Sequence, residues 1–217
     1  MAPIVMGYWN IRGLAQPIRM LLEFSGAEYT DVKYETGPAP DYDKTCWTST
    51  KDSLGLDFPN LPYLVDGDIK ITQSNAILRH LGRKFDLDGK TEADKARVDM
   101  MLENAMDFRN GFVRLCYGDF DNGKEAYLAA LPAKLQKFSE FLGTRNYFSA
   151  DYLTFPDFHM YEMLYSHHQL APKAVEAFPN LVAFIARIEN LPKVKEFLAS
   201  DRSPKAMNNK MAKFGNQ

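Results

Sequence analysis

The sequence predicts a two-domain protein, with an α/β domain at the N-terminus and an all-α domain at the C-terminus. Short apolar runs of strand length are confined to the first third of the chain. Residues 85–94, FDLDGKTEAD, form a polar connector that contains a glycine, and apolar residues recur at helical spacing beyond it. The 217 residues suffice for two small domains. We therefore assign residues 1–84 to the first domain, 85–90 to a linker and 91–217 to the second domain.

The N-terminal elements follow in the order β-α-β-loop-β-β-α. Residues 3–9, PIVMGYW, are a short apolar strand, and a helix with apolar residues at helical spacing follows and ends at Gly26. Residues 28–35, EYTDVKYE, alternate in character and predict a second strand. After a long loop rich in proline and glycine, PYLV and IKIT flank the turn DGD and predict a hairpin, and a helix begins at Ser74. This order is that of a thioredoxin-like domain.

The second domain is predicted from three stretches in which apolar residues keep a spacing of three to four. Between the second and third stretches, Thr154 and Asp157 in TFPD have the spacing of a capping box at a helix start. Pro192 closes the third stretch, and the chain from Asp201 onward is polar and irregular. An all-helical domain with an irregular tail is therefore expected.

Composition excludes several classes of function. The net charge is −2 and no block of like charges occurs, which argues against nucleic-acid binding. No apolar stretch is long enough to cross a bilayer, and the N-terminus lacks the layout of a signal peptide, so a cytoplasmic protein is expected. Cys46 and Cys116 are too far apart in sequence for a zinc motif and are expected to be unpaired thiols. We expect no metal site and no bound cofactor.

Tyr8 stands where thioredoxin-like domains normally carry redox cysteines, in the segment GYWNIRGLAQPIR. This segment, PAPDYDK, LGLDFPNLPYLVDGDIKITQSNAI and AFPNL resemble the mu class of the cytosolic glutathione S-transferases. The resemblance covers essentially the whole chain. It implies conjugation of the thiolate of reduced glutathione to hydrophobic electrophiles, a detoxification reaction, with glutathione as co-substrate. It also implies a homodimer in the cytoplasm.

The resemblance assigns the catalytic role to Tyr8. A free thiol has a pKa of about 8.5 and is mostly protonated at neutral pH. A phenol that donates a hydrogen bond to the sulfur favours the anion and lowers the pKa of the thiol. Tyr8 would then be a stabilising donor and not a general base. The ordinary alternative is a buried strand tyrosine.

The resemblance also implies the residues that bind glutathione. Leu61–Pro62 is expected to be a cis peptide, with the backbone of Leu61 turned toward the cysteinyl part of the ligand. Ser74, at a helix N-terminus, is expected to receive the glutamyl carboxylate. The alternatives are an N-cap at Ser74, a strand-edge proline at Pro62 and a solvated surface charge at Lys44. The full set is Tyr8, Trp9, Leu14, Lys44, Trp47, Lys51, Asn60, Leu61, Gln73, Ser74 and, from the partner subunit, Asp107.

Two further groups of residues follow from the resemblance. The hydrophobic-substrate site is expected to contain Ile11, Leu14, Arg109, Asn110, Tyr117 and Phe214. Tyr117 would donate a hydrogen bond to an oxygen that develops negative charge. The dimer interface is expected to contain Phe58, Arg79 and Asp99, with Phe58 inserted into a helical pocket of the partner. The alternative for Phe58 is a loop side chain packed in its own core.

Two other functions are compatible with this fold. A non-catalytic ligand carrier or crystallin-like protein would share it, but such proteins tend to lose contacts to glutathione, and the residues for those contacts are present here. A thiol-disulfide oxidoreductase is disfavoured because no cysteine occupies the redox position. The sequence therefore favours the transferase.

Overall fold

A computed structural model describes residues 3–216 and has four strands and nine α-helices in that range. The N-terminal elements are β1 (Ile4–Trp9), α1 (Gln16–Ser25), β2 (Tyr29–Tyr34), α2 (Thr45–Thr48), a 3-10 helix (Lys51–Ser53), β3 (Tyr63–Asp66), β4 (Ile69–Thr72) and α3 (Ser74–Lys84). The C-terminal helices are α4 (Glu92–Tyr117), α5 (Phe120–Leu142), α6 (Phe155–Leu170), α7 (Pro172–Glu176), α8 (Pro179–Glu189) and α9 (Pro192–Ala199). No helix in the described range is long and apolar enough to cross a membrane.

The four strands form one mixed sheet in the order β2-β1-β3-β4. Strands β1 and β2 are parallel, whereas β3 is antiparallel to both of its neighbours, β1 and β4. Gly7 in β1 lies opposite Tyr63 in β3, and a Cβ at Gly7 would lie 2.1 Å from a ring carbon of Tyr63. Only glycine fits there, because any side chain would collide with the ring. The predicted α/β element order and the all-helical second part are confirmed.

The long loop between β2 and β3 differs from the sequence prediction because it contains helix α2 and the 3-10 helix. The carboxylate of Asp43 accepts hydrogen bonds from the backbone N–H of Thr45 at 3.1 Å and from its hydroxyl at 2.5 Å. These bonds satisfy donors at the start of α2, as a capping side chain does. The helix has only four residues, which is too short for a periodic pattern to reveal.

Helix α6 is the centre of the helical part, because it packs against α1, α4 and α8. The predicted capping box at its start is confirmed: the Asp157 carboxylate caps the N–H of Thr154 and also accepts a bond from the Thr154 hydroxyl at 2.9 Å. Asp157 is fully buried and accepts bonds from the N–H groups of Phe148 and Thr154, both at 2.8 Å. Arg12, just after β1, donates two hydrogen bonds to Glu162 of α6, and both side chains are buried. This pair joins the sheet-bearing part of the chain to the helical part.

The C-terminal tail after α9 has no helix or strand up to residue 216, yet backbone and side-chain bonds fix its course. The N–H of Arg12 donates to the carbonyl of Ala206 at 2.8 Å. The N–H of Lys213 donates to the carbonyl of Cys116 at the end of α4, also at 2.8 Å. The tail therefore bridges the β1–α1 loop and the end of α4. From the sequence this segment was expected to be irregular and to bring Phe214 to the second-substrate site, and these backbone bonds were not predicted.

Candidate active site

Tyr8 lies near the end of β1, and its side chain is only 5% exposed. The N–H of Leu14 donates a hydrogen bond to the phenol oxygen at 3.2 Å. Gly13 has a φ of +43°, and a Cβ there would lie 2.8 Å from the Tyr8 oxygen and 3.2 Å from Cδ1 of Ile11. The β1–α1 loop thus wraps closely around the phenol. Because the oxygen accepts a backbone N–H, its own O–H remains available to donate to a ligand.

An aromatic cluster surrounds this end of the sheet. Trp47 of α2 stacks on Tyr63 with ring centroids 6.0 Å apart and an interplanar angle of 17°. Tyr34 packs edge-on against both Trp47 and Trp9, and its hydroxyl lies 3.2 Å from that of Tyr63. The two tryptophans predicted to bind glutathione are therefore held on one aromatic scaffold. Packing of this kind fixes the ring positions.

The two predicted lysines lie on either side of Trp47. Lys44 is the residue that precedes α2, and Lys51 begins the 3-10 helix. Lys44 is exposed and Lys51 is half-buried. Within residues 3–216, neither ammonium group forms a salt bridge. The loop therefore presents two cations beside a buried indole.

The other predicted glutathione contacts lie around the start of α3. The Leu61–Pro62 peptide is cis, as expected. The N–H of Leu61 donates to the side-chain oxygen of Asn60 at 2.8 Å, so this donor already has a partner inside the chain. Gln73 has a φ of +71°, and Ser74 is the first residue of α3 and is buried. The N-cap position therefore belongs to Gln73 and not to Ser74. The first N–H groups of an α-helix have no acceptor within the helix, and a helix N-terminus of this kind favours an anion.

Tyr117 ends α4 and is 37% exposed. The N–H of Asn209 in the tail donates to its phenol oxygen at 2.7 Å, which leaves the O–H free to donate. Burial raises the pKa of Tyr117, and the nearby Tyr8 also contributes to raising it, so the phenol stays protonated at neutral pH. The electrostatic influence of Tyr8 indicates that the two phenols share one region.

Phe214 of the tail packs in an aromatic cluster beside this region. Its ring stacks on that of Phe120 with an angle of 5° and meets Phe112 edge-on. Neither Phe120 nor Asn209 was predicted from the sequence to have a role in the site. No periodic signal could have identified them, because they become neighbours of predicted residues only through the path of the tail.

The remaining residues predicted for the second substrate differ in their placement. Ile11 is buried and Leu14 is half-buried, and both lie in the loop that wraps Tyr8. Arg109 is half-buried and Asn110 is exposed, about two turns before Tyr117 on α4. Neither forms a hydrogen bond with Tyr8 or Tyr117 among the interactions within residues 3–216. Ile11 and Leu14 therefore lie next to Tyr8, and Arg109 lies close enough to Tyr117 for its charge to oppose the rise in the pKa of that phenol.

The residues predicted for subunit contact lie on the surface. Phe58 is 80% exposed, so the alternative that it packs in its own core is wrong. Arg79 of α3 donates to Asp99 of α4 at 2.7 Å and to Glu103 at 2.6 Å. Asp107 is exposed and lines a groove of about 200 Å³ between α4 and α5. The other lining residues of that groove are Asn104, Phe108, Lys134, Lys137 and Phe138.

Comparison with known families identifies the fold and the chemistry. The family model of the glutathione S-transferase N-terminal domain matches residues 4–83, and that of the C-terminal domain matches residues 106–201. The chain belongs to the glutathione S-transferase family.

Its similarity to characterised relatives is that of a mu-class enzyme. It is 53% identical over 216 residues to glutathione S-transferase Mu 5 of Mus musculus, covering 99% of this chain and 96% of the relative. It is 49% identical over 217 residues to Mu 1 of Macaca fascicularis, covering 99% and 100%. The solved structure of the glutathione S-transferase Blo t 8 has a TM-score of 0.87 at 32% identity, with 97% of this chain and 99% of that one covered.

These relatives support glutathione conjugation as the activity of this mu-class transferase. They give no support to the carrier or crystallin-like alternative. As a substrate, glutathione binds and leaves in each turnover. Within residues 3–216, no group of three or more His, Cys, Asp or Glu side chains could hold a metal ion.

Proposed function

We propose that Tyr8 stabilises the glutathione thiolate by donating its phenol proton in a hydrogen bond to the sulfur. The observation that carries this proposal is the bond from the Leu14 N–H to the Tyr8 oxygen, at 3.2 Å. It orients the phenol and leaves its O–H as a donor beside the start of α1. A charge-assisted bond to sulfur lowers the pKa of the thiol toward neutral pH. Tyr8 remains protonated throughout.

The rest of glutathione binds across the sheet edge and two helix starts. The glycyl carboxylate pairs with the indole N–H of Trp47 and with Lys51, with Trp9 and Lys44 nearby. The γ-glutamyl carboxylate binds at the start of α3, where Gln73 and Ser74 sit at the positive end of the helix dipole. The backbone of Leu61 pairs with the cysteinyl residue of glutathione. On binding, the Leu61 N–H leaves the side-chain oxygen of Asn60 and donates to the ligand instead.

The second substrate is a hydrophobic electrophile that lies between the two phenols. Ile11 and Leu14 provide the wall next to Tyr8, and Phe214 provides an aromatic wall next to Tyr117. Tyr117 donates its O–H to oxygen that becomes negative as an epoxide opens or an enone is attacked. Arg109 and Asn110 contribute at the outer end of the site, if the electrophile is long enough to reach them.

The active form is a homodimer in which Phe58 inserts into the groove between α4 and α5 of the partner. Phe58 is a large apolar side chain in water, and the groove contains Phe108 and Phe138. The Phe58 carbonyl accepts a bond from the Thr72 hydroxyl at 3.0 Å, which ties its loop to the strand before Gln73. When Phe58 of one subunit enters the groove of the other, Asp107 in that groove would lie near the glutathione site of the subunit that supplies Phe58. There Asp107 pairs with the amine of glutathione. Arg79 and Asp99 lie on the same face.

The proposed setting is the cytoplasm. Cys46 and Cys116 are both free thiols, one exposed and one buried, which fits a reducing compartment. The partners are glutathione, a small electrophile and a second copy of the chain, without nucleic acid or membrane.

The first experiment measures conjugation of glutathione to a chlorodinitrobenzene by the wild type and Tyr8→Phe. We expect kcat/KM to fall by about tenfold or more in Tyr8→Phe, with the pKa of the bound thiol raised by roughly one unit or more. Glutathione affinity should change little. Tyr29→Phe, which also removes a phenol that makes a side-chain bond, is the matched control. An unchanged thiol pKa in Tyr8→Phe would overturn the proposed role.

The dimer proposal has a separate test by analytical ultracentrifugation. Phe58→Ala should dissociate to monomers at micromolar concentration, whereas Val182→Ala, at an exposed apolar residue of α8, should not. A Phe58→Ala protein that stayed fully dimeric would contradict the insertion of this side chain.

A further inference from the structure

A cleft of about 460 Å³ is separate from the site around Tyr8. It lies between α6, α8, α9 and the first part of the tail. Its lining residues are Arg12, Tyr161, Tyr165, Glu189, Asn190, Lys195, Leu198, Ala199 and Lys205. None of these belongs to the residues proposed to bind glutathione, the electrophile or the partner subunit. The two sites can therefore be occupied at the same time.

A buried cation forms part of the cleft lining. The Nε and Nη2 atoms of Arg12 donate to Glu162 at 2.9 and 2.7 Å, and the guanidinium carbon lies 4.2 Å from the centre of the Tyr165 ring. The Nη1 atom has no hydrogen-bond partner in the described part of the chain. Burial opposes the charge, but the attraction and hydrogen bonds of Glu162 outweigh it and raise the pKa of Arg12. Arg12 therefore remains a cation with an unused donor.

The other polar groups of the cleft leave it with an excess of positive charge. Lys195 donates to the Asn190 side chain at 3.3 Å. Lys205 donates to the carbonyls of Leu198 at 3.2 Å and of Ser200 at 3.3 Å. An ammonium group has three donors, so both retain some for a ligand. Glu189 accepts a bond from Tyr161 at 3.0 Å. The lining thus has three cations, Arg12, Lys195 and Lys205. The carboxylates of Glu162 and Glu189 neutralise two of these charges, so the cleft has a net charge of one positive unit.

We propose that this cleft is a second ligand site, which binds a small aromatic monoanion such as an aryl carboxylate. The carboxylate pairs with the free donor of Arg12 and with the ammonium groups of Lys195 and Lys205. The aromatic ring packs against Tyr165 and the side chain of Leu198. The volume falls within the range of about 300–1,000 Å³ that is typical of small-molecule sites. The ligand is not a substrate, because the cleft contains none of the residues proposed to act on glutathione.

The test measures binding of 2-naphthoate to the full chain by isothermal titration calorimetry, with the catalytic site saturated by S-hexylglutathione. We expect binding of one naphthoate per chain under this condition. The double variant Lys195→Glu/Lys205→Glu should weaken it by roughly tenfold or more, since two attractions become repulsions. Ala199→Trp, at an exposed residue of the lining, should fill the cleft and abolish binding. Both changes lie at the surface, so the fold should be retained.

Two controls separate this site from unspecific attraction. Lys193→Glu makes the same change of charge on α9 at a residue outside the cleft, and it should leave the affinity within about twofold. Uncharged 2-naphthamide should bind at least about tenfold more weakly than naphthoate. The proposal is overturned if naphthoate does not bind with S-hexylglutathione present, or if naphthamide binds equally well. It is also overturned if neither cleft variant weakens binding, or if Lys193→Glu weakens it as much as they do.

Discussion

The two halves of the proposed catalytic site, one around Tyr8 and one around Tyr117, use the same hydrogen-bond arrangement but form it from different parts of the chain. In both Tyr8 and Tyr117, the phenol oxygen accepts a backbone N–H and the O–H is left to donate. For Tyr8 the donor is Leu14, six residues further along the chain. For Tyr117 the donor is Asn209, 92 residues away in a tail without helix or strand.

We call the part of the site around Tyr8 the rigid half and the part around Tyr117 the adaptable half. The Tyr8 arrangement depends on one tight loop between a central strand and a buried helix. The Tyr117 arrangement depends on a tail without helix or strand, and irregular segments of this kind tolerate sequence change more readily than regular elements do. In the proposed mechanism, thiolate formation, which every substrate needs, depends on the rigid half around Tyr8. The choice of electrophile depends on the adaptable half around Tyr117.

The largest expected effect comes from Gly13→Ala, which disturbs the rigid half. Gly13 has a φ of +43°, and a Cβ there would lie 2.8 Å from the Tyr8 oxygen. The phenol must move, so kcat/KM should fall by about tenfold or more for every electrophile. Steady-state kinetics with a chlorodinitrobenzene and with an aryl epoxide measure this.

The matched control for Gly13→Ala is Gly67→Ala. Gly67 has a φ of +63°, and a Cβ added there would have no atom within 4 Å, so the substitution brings the same backbone strain without the collision. It should lose stability but keep its kcat/KM. If both variants lost activity equally, backbone strain and not displacement of Tyr8 would be responsible.

Tyr117→Phe is expected to slow the reaction of some electrophiles and not of others. Opening of an epoxide should slow by about tenfold, because the developing oxygen anion loses its donor. Conjugation of a chlorodinitrobenzene forms no such oxygen anion and should change by less than about twofold. Parallel assays of both substrates with one protein preparation test this. Equal losses for the two substrates would mean that Tyr117 shapes the site and does not donate.

The sequence predicted the rigid half much better than the adaptable half, for a physical reason. Tyr8 and Ser74 lie at the ends of regular elements, so their motifs are contiguous and their mutual position follows from the order of strands and helices. Asn209, the partner of Tyr117, and Phe214, which packs on Phe112 and Phe120, both lie in the tail, which has no periodicity to read. The capping of α2 by Asp43 and the engagement of the Leu61 N–H by Asn60 were likewise missed, because short local bonds leave no periodic trace.

A buried imidazole in the all-helical domain has no hydrogen-bond partner among the described residues, and its effect on stability can be tested. Arg19, beneath the Tyr8 loop, is fully buried but bonds to Asp31 at 2.9 Å and to the carbonyl of Ile11 at 2.8 Å. His159 in α6 is also buried, yet neither ring nitrogen has a partner among the described residues. His159→Leu removes these unpaired groups, so it should raise the free energy of unfolding by about 1 kcal/mol. Urea denaturation at pH 7.5 measures the change. Destabilisation would show that the imidazole has a partner.

The same variant should alter the dependence of stability on pH. Burial, and to a smaller extent the charge of Arg109, lower the pKa of His159 to about 3 in the folded protein. The unfolded chain takes up this proton near pH 6.5, whereas the folded protein takes it up only near pH 3. The stability that the neutral imidazole gives the folded protein is therefore fully present above pH 6.5 and is lost as the pH falls toward 3. His159→Leu should therefore lose less stability than the wild type between pH 6.5 and 5. Parallel slopes for the two proteins would contradict the lowered pKa.

The smallest expected effect is that of Lys210→Met, which loosens the tail. The Lys210 ammonium donates to the carbonyl of Thr36 at 2.8 Å, and this bond ties the tail to the loop after β2. Losing one such bond costs about 1 kcal/mol, and the Asn209 N–H next to it should hold Tyr117 less firmly. The KM for an aryl epoxide should rise by about twofold while the KM for glutathione stays constant. Lys213→Met is the control, because that residue is held through its backbone N–H, which the substitution keeps. If the KM for glutathione rose instead, the Lys210 bond would act on glutathione binding, and the assignment of this part of the tail to the electrophile would fail.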